Sequence, residues 1–249
     1  MKRDEFILKL NKYLDIDKFS GIDVSLNGLQ VGAEDREIKI IGFAVDACLE
    51  TIEKAINDGV DVLIVHHGLY WGAPIPITNN FYKKIELLIN NKMDIYAAHL
   101  PLDANMSVGN NIAMAKALDL INIEPAINYK GFDIGIIGDL EKDISIDEIS
   151  SILNFSNPIK LDFSKKINKI AIVSGEGAHD IQQAKALNCD LLITGEPRHS
   201  EYHYCKEEGI SMLCGGHYES ETYGVKALAI EVSKRYNFLV KYIDVPTGL

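Results

Sequence analysis

Apolar residues along the chain recur with two spacings, one typical of amphipathic helices and the other of buried strands. The first spacing occurs at the start, where it predicts a helix with Phe6, Ile7, Leu10 and Leu14 on its apolar side. Short apolar runs then alternate with further helical stretches. They predict strands over 38–45, 61–65 and 94–98, and helices over 49–57, 81–89 and 108–118. This order favours an α/β fold with a mostly parallel sheet covered by helices.

The middle of the chain departs from this alternation. Residues 132–138 predict a strand, and residues 145–154 predict a short helix that begins with a capping box, Ser145 with Glu148. The alternation resumes at residue 170 and continues to residue 242. We therefore predict two interleaved lobes, with residues 1–126 and 190–249 in the first and residues 127–189 in a second lobe or insert.

Two stretches of the chain resemble each other. Strand 39–42, a helix and strand 61–65 lead to His66 and His67, whereas strand 169–172, a helix and strand 190–194 lead to Gly195 and Glu196. Both stretches continue through a helix to a strand that ends near a histidine. These correspondences predict a duplicated α/β half, with the strand ends of both halves directed at one cleft.

The two later histidines are each followed, four residues on, by a carboxylate. The pairs are His99 with Asp103 and His217 with Glu221. Imidazole and carboxylate ligands suit zinc, iron, manganese or nickel, and about five such ligands suit two divalent ions better than one. Glu221 is the candidate bridging ligand, because a helix starting near residue 218 would place it on the same face as His217. Gly215 and Gly216 would let the backbone approach the ions.

Other polar residues keep alternative interpretations. His99 is a candidate for proton transfer, but it fits a supporting or buried structural histidine equally well. Glu196 is a second candidate for proton transfer. We expect the remaining histidines (His179, His199 and His203) at the surface, and Asp46 fits a helix cap. Gly175 and Gly177 lie in a short segment that is a weak candidate phosphate-binding loop.

Composition limits the function classes. The 249 residues carry a net charge of −11, which disfavours nucleic-acid binding through a basic face. The apolar runs are too short to span a membrane, and the first residues lack the apolar core of a signal peptide. The four cysteines form no C-x-x-C pair. We therefore expect a cytoplasmic protein without a disulfide framework or a membrane partner.

Five ordered segments are similar to those of the GTP cyclohydrolase 1 type 2 family, also called NIF-three-like dinuclear metal proteins. The segments are residues 27–32 (NGLQVG), 64–71 (IVHHGLYW), 98–103 (AHLPLD), 194–196 (TGE) and 216–221 (GHYESE). The sequence departs from the family at Gly68, where proline is common, and at Leu100, where a small polar residue is common.

The resemblance implies a specific metal site and assembly. The metal ligands would be His66, His67, Asp103, His217 and Glu221. Glu221 would bridge two ions, with His67 and Asp103 on one ion and His66 and His217 on the other. The resemblance also implies two interlinked α/β lobes and a ring-like homo-oligomer, commonly a hexamer.

Three functions remain open at this point. The first is a metal-dependent hydrolase that opens the imidazole ring of a purine nucleotide, an activity that the resemblance alone implies. The second is a ring-forming, metal-containing protein that binds protein or nucleic-acid partners without catalysis. The third is metal storage or trafficking.

Overall fold

The computed structural model describes residues 1–249 as a chain of α-helices and β-strands. The elements of the first part are α1 (Arg3–Leu14), β1 (Gly28–Val31), β2 (Ile40–Asp46), α2 (Leu49–Asn57), β3 (Val62–His67), α3 (Asn79–Asn90), β4 (Asp94–Ala97) and α4 (Leu100–Asp103). Those of the middle part are α5 (Asn110–Ala117), β5 (Ile121–Tyr129), β6 (Phe132–Asp139), α6 (Ile146–Ile152) and β7 (Ile159–Leu161). The last part contains β8 (Lys169–Ile172), α7 (Ile181–Ala186), β9 (Leu191–Thr194), α8 (Glu201–Glu208), β10 (Ser211–Cys214), α9 (His217–Tyr236) and β11 (Leu239–Tyr242).

The chain forms two compact units. The first contains Met1–Leu102 and Val225–Val245, and the second contains Asp103–Gly224 and Pro246–Leu249. These boundaries differ from the predicted division into 1–126 with 190–249 and 127–189. Residues 190–224 belong with the middle of the chain because β9 pairs with β8 and β10 pairs with β9.

The sheet of the first unit has the strand order β1-β4-β3-β2-β11. Strands β4, β3, β2 and β11 run parallel, as the alternation of strands and helices predicts, and β1 adds an antiparallel edge. Its core includes Leu63, Val65, Ile95 and Ala97, packed with Ile52 of α2. This sheet therefore has a buried face under its crossover helices.

The sheet of the second unit has the strand order β5-β6-β8-β9-β10-β7. Strands β8, β9 and β10 are parallel, and the other pairings are antiparallel. Ile170 and Ile172 pack into one apolar cluster, whereas Ala171 and Val173 pack into another. Both faces of the parallel part are thus buried, which explains the continuous apolar runs in the sequence.

The two units share a topology that matches the predicted duplication. Each has three consecutive parallel strands, β2-β3-β4 or β8-β9-β10, and a short antiparallel strand beside the third of them. None of the helices has the length and apolarity needed to cross a membrane.

The predicted capping box is present at the start of α6. The Ser145 hydroxyl accepts a hydrogen bond from the Glu148 N–H (3.2 Å), and the Glu148 carboxylate accepts one from the Ser145 N–H (2.8 Å). We expect Ser145→Ala to lower the free energy of unfolding by about 1 kcal/mol, because the cap bond to the helix is lost. Urea unfolding followed by circular dichroism measures this. Ser151→Ala, at an exposed position of the same helix, is the control, and equal stability of the two variants would contradict the prediction.

Candidate metal centre

The carboxyl ends of the parallel strands in the first unit carry a group of three histidines. Strand β2 ends at Asp46 and β3 ends at His67, in register with each other. Strand β4 ends two residues before His99. Ligands collect at this edge in open α/β sheets, because the connections that follow parallel strands meet there.

These histidines lie close together. Ligand-capable atoms of His66, His67 and His99 all lie within 4.8 Å of one another. The ring centroids of the neighbours His66 and His67 are 4.7 Å apart, although neighbouring side chains of a strand point to opposite faces. His66 is fully buried and His67 is partly exposed. The two imidazoles therefore lie close together, with His66 deeper in the protein than His67.

A hydrogen bond at Nδ1 orients each of the three imidazoles. His66 donates to the Ala98 carbonyl (2.9 Å), His67 to the Asp46 carboxylate (2.8 Å) and His99 to the Asp23 carboxylate (2.9 Å). These acceptors hold the hydrogen on Nδ1, so the lone pair of each neutral ring is on Nε2. Metal-binding histidines are typically oriented in this way.

Asp23 and Asn27 fix the position of His99. The Asn27 side chain accepts from the His99 backbone N–H (2.8 Å) and donates to the Asp23 carboxylate (2.8 Å). Burial would raise the pKa of Asp23, but the hydrogen bond and charge of His99, with the bonds from Asn27 and Ser25, outweigh it and lower the pKa below its ordinary value. Asp23 is therefore a stable anionic partner of His99.

The second unit contains His217 and Glu221 at the start of α9. His217 Nε2 lies 3.1 Å from Glu221 Oε1, at the i,i+4 spacing that the sequence predicts. His217 Nδ1 donates to the Glu196 carboxylate at 2.5 Å. A carboxylate therefore lies at each ring nitrogen, Glu196 at Nδ1 and Glu221 at Nε2. The Glu221 side chain is 4% exposed, so its carboxylate lies in a poorly solvated place where an electrostatic contact is strong.

Two glycines make room for this pair of ligands. Gly175 has a φ of +64°, and a Cβ built there would lie 2.5 Å from Glu221 Oε1 and 3.3 Å from His217 Nε2. At Gly195 a Cβ would lie 2.8 Å from His217 Cα. Gly175 and Gly195 thus approach the ligand side chains closely, and approach of the Gly215 and Gly216 backbone to the ions stays a prediction.

Gly215 and Gly216 are each required for a local structural reason. A Cβ at Gly215 would overlap the Phe155 ring at 2.3 Å, and Gly216 has a φ of +98° at the start of α9. The first glycine is thus required by core packing and the second by backbone conformation.

The predicted phosphate-binding segment is tied down by internal hydrogen bonds. The Gly175 N–H donates to Ser220 Oγ (3.1 Å), and the Gly177 N–H donates to Thr194 Oγ1 (2.9 Å). These bonds use N–H groups that a phosphate site would require. Phosphate binding by Gly175 and Gly177 stays a prediction.

Asp103 belongs to the second unit and is held by two donors. Its Oδ1 accepts from Asn110 Nδ2 (2.8 Å) and from Ser174 Oγ (2.9 Å). Ser174 follows β8, so this carboxylate is fixed against the carboxyl end of a parallel strand. A carboxylate oriented by hydrogen bonds is suited to metal coordination.

Sequence reasoning assigned Asp46 a different role and did not single out Asp23. Asp46 accepts from His67, whereas Cys48 caps α2, so the predicted cap role of Asp46 is wrong. Asp23 lies 76 residues before His99, and no local pattern links them. The three other histidines (His179, His199 and His203) are exposed, as predicted.

The residues present fit a transition-metal site. The donors are imidazole nitrogens and carboxylate oxygens, the set that zinc, iron, manganese and nickel accept. Their orienting partners and the space at Gly175 support this assignment. Fold and donors together define a class, namely an α/β protein of two similar units with candidate metal ligands at the carboxyl ends of parallel strands.

Comparison with known proteins narrows this class to a family. The model of the Duf34/NIF3 (NGG1p interacting factor 3) family matches residues 1–247, and the chain belongs to this family. Curated relatives carry the name GTP cyclohydrolase 1 type 2 homolog. The relative from Pyrococcus abyssi is 41% identical over 100% of both chains. The relative from Deinococcus radiodurans is 38% identical, covering 99% of this chain and 94% of its own.

Solved structures are similar over the whole chain. The protein TTHA1606 from Thermus thermophilus is 37% identical, with a TM-score of 0.91 and full coverage of both chains. HcgD from Methanocaldococcus jannaschii, in its reduced form, is 31% identical, with a TM-score of 0.84 and 98% coverage of both chains. The family resemblance and the mixed α/β fold expected from the sequence are therefore confirmed.

Proposed function

We propose that the protein is a hydrolase that depends on two divalent metal ions and opens the imidazole ring of a purine nucleotide. The observation that carries the metal assignment is the shared orientation of His66, His67 and His217. Each of these rings donates a hydrogen bond from Nδ1–H to an acceptor in the protein. The name of the curated relatives supports the choice of substrate. The proposed ligands are those that the resemblance implies: His66, His67, Asp103, His217 and Glu221.

Three of the proposed ligands are oriented by residues of their own unit. In the first unit, the Asp46 carboxylate holds the His67 ring. In the second unit, the Glu196 carboxylate holds the His217 ring, and two donors hold Asp103. Two bridged divalent ions, when bound, lower the pKa of a water molecule and make hydrolysis possible at neutral pH.

The chain also offers groups that hold and move protons. The Asp23 carboxylate keeps a hydrogen on His99 Nδ1, so His99 can accept a proton at Nε2, and Asp23 then stabilises the positive charge of the ring. Glu196 holds the hydrogen on His217 Nδ1 and thereby orients that ring. We propose His99 as the group that transfers a proton and Glu196 as a positioning residue. Assembly as a homo-oligomer, commonly a hexamer, stays a prediction.

The test compares metal-loaded wild type with His67→Ala in turnover of GTP. We expect kcat/KM to fall by about 100-fold or more, because the variant loses an oriented ligand. His203→Ala, an exposed histidine of α8, is the control and should keep wild-type activity. Equal turnover by wild type and His67→Ala would identify the activity as contamination. Absence of turnover by the metal-loaded wild type, on GTP and on other purine nucleotides, would favour the non-catalytic binding function.

A further inference from the structure

Trp71, the only tryptophan of the chain, lies beside the histidine group of the first unit. Its ring centroid is 5.0 Å from that of His99 and 5.6 Å from that of His67. The indole and His99 ring planes are 74° apart, so one ring presents its edge to the other. Trp71 is 36% exposed, so part of the side chain is accessible to solvent next to the candidate metal ligands.

The indole is held in place by hydrogen bonds. Its Nε1–H donates to the Gly68 carbonyl at 3.0 Å. The backbone on either side is also tied, since the Leu26 N–H donates to the Tyr70 carbonyl (3.1 Å) and the Gly72 N–H donates to the Val24 carbonyl (2.6 Å). A ligand that binds this surface would therefore not have to immobilise the side chain first.

Gly68 contributes to this arrangement. A Cβ at Gly68 would lie 2.6 Å from Ala97 Cβ and 2.4 Å from the Gln30 amide. The Gln30 side chain in turn accepts from the Leu69 N–H at 2.6 Å. Glycine at position 68 thus lets β4 and Gln30 pack closely against the segment that carries Trp71.

Exposure alone would not distinguish Trp71 from other apolar residues at the surface. Leu8 is 71% exposed on α1 and Ile89 is 62% exposed on α3, and single exposed apolar residues are ordinary. Trp71 differs because the oriented imidazoles of His67 and His99 lie beside it, and because a hydrogen bond from its Nε1–H fixes the position of the ring. An indole face attracts planar heteroaromatic rings, and every nucleobase has such a face.

We propose that Trp71 is the stacking surface for the purine base of the substrate. This inference rests on the proposed function, because it assigns a residue to binding the substrate of that same site. Trp71 then contributes to affinity for the base, and the oriented histidines contribute to the reaction. A ligand without a planar ring gains nothing from this contact.

The first test uses the fluorescence of Trp71, which no other tryptophan obscures. The 249-residue protein, loaded with zinc, is titrated with guanosine and, separately, with ribose 5-phosphate. We expect saturable quenching by guanosine and none by the sugar phosphate. N-acetyltryptophanamide under the same conditions corrects for absorption and collisional quenching. Quenching by guanosine that merely matches the free fluorophore would overturn the inference.

The second test measures GTP turnover by Trp71→Leu and Trp71→Phe. We expect Trp71→Leu to raise KM by about tenfold with little change in kcat, the effect of losing one stacked base. Trp71→Phe should restore most of the affinity because it keeps an aromatic face. Tyr82→Leu, which removes a half-exposed aromatic ring from α3, is the control and should leave both parameters unchanged. An unchanged KM in Trp71→Leu would overturn the inference.

The two proposals fail in distinguishable ways. Saturable quenching by guanosine without turnover of any nucleotide would support base stacking at Trp71 and contradict the hydrolase. Turnover that depends on His67 but is indifferent to Trp71, with no saturable quenching, would support the hydrolase and contradict base stacking.

Discussion

Glu221→Gln is expected to lower the metal content of the purified protein from about two ions per chain to less than one. Glutamine keeps the size and shape of the side chain but removes the charge that faces His217 Nε2 at 3.1 Å. A neutral amide cannot bridge two cations as a carboxylate can, so both ions should be affected. Elemental analysis after purification and dialysis measures the stoichiometry.

The control for this variant lies in the same helix. Glu231 forms an ion pair with Arg235 on α9, away from the first turns that carry the ligands. Glu231→Gln should retain the wild-type metal content. Unchanged metal content in Glu221→Gln would remove this residue from the bridging role. A loss in both variants would point to a general effect on the helix.

Asp94→Ala is expected to destabilise the protein by about 3 kcal/mol, because a buried carboxylate with two arginine partners and a backbone hydrogen bond is lost. The Asp94 carboxylate is 1% exposed and accepts from Arg3 (3.3 Å), from Arg36 (2.6 Å) and from the Ala33 N–H (3.1 Å). The Arg3 side chain is itself 6% exposed. Removal of the carboxylate would leave the Arg3 guanidinium with Asp4 as its remaining ion-pair partner (2.8 Å).

Urea unfolding followed by circular dichroism measures this loss. Asp35→Ala is the matched control, because Asp35 faces Lys2 at 3.8 Å in an exposed ion pair. This pair lies at the start of α1, the helix that contains Arg3. Exposed pairs contribute about 0–1 kcal/mol, so the control should lie close to wild type. If Asp94→Ala is as stable as Asp35→Ala, the buried network does not stabilise the first unit.

Elements with strong periodicity could be predicted from the sequence. The bounds predicted for α2, 49–57, are those observed, and the apolar side of α1 is buried as expected. Three edge strands were missed: β1, β5 and β7. Strand β5 is mostly exposed and contains Pro125, so it lacks both the burial and the composition that mark a strand.

Partners distant in sequence could not be predicted in the same way. The pair His217 and Glu221 was found because it obeys a helical spacing within one element. The bond between His99 and Asp23 has no such spacing, because the two residues lie 76 positions apart in the chain. Local pattern determines elements, whereas the choice of partner depends on packing across the whole chain.

The first unit is interrupted in sequence by the second, so its last residues are synthesised after most of the second unit. Strand β2 pairs with β11, with Ile40 opposite Leu239, so one edge of β2 stays unpaired until residues 239–242 have left the ribosome. The second unit is nearly continuous in sequence, and all of it except Pro246–Leu249 emerges earlier. The segment that carries the carboxylates Asp103 and Glu221 is thus synthesised before β11. At that stage the sheet that carries His66 and His67 still lacks its last strand.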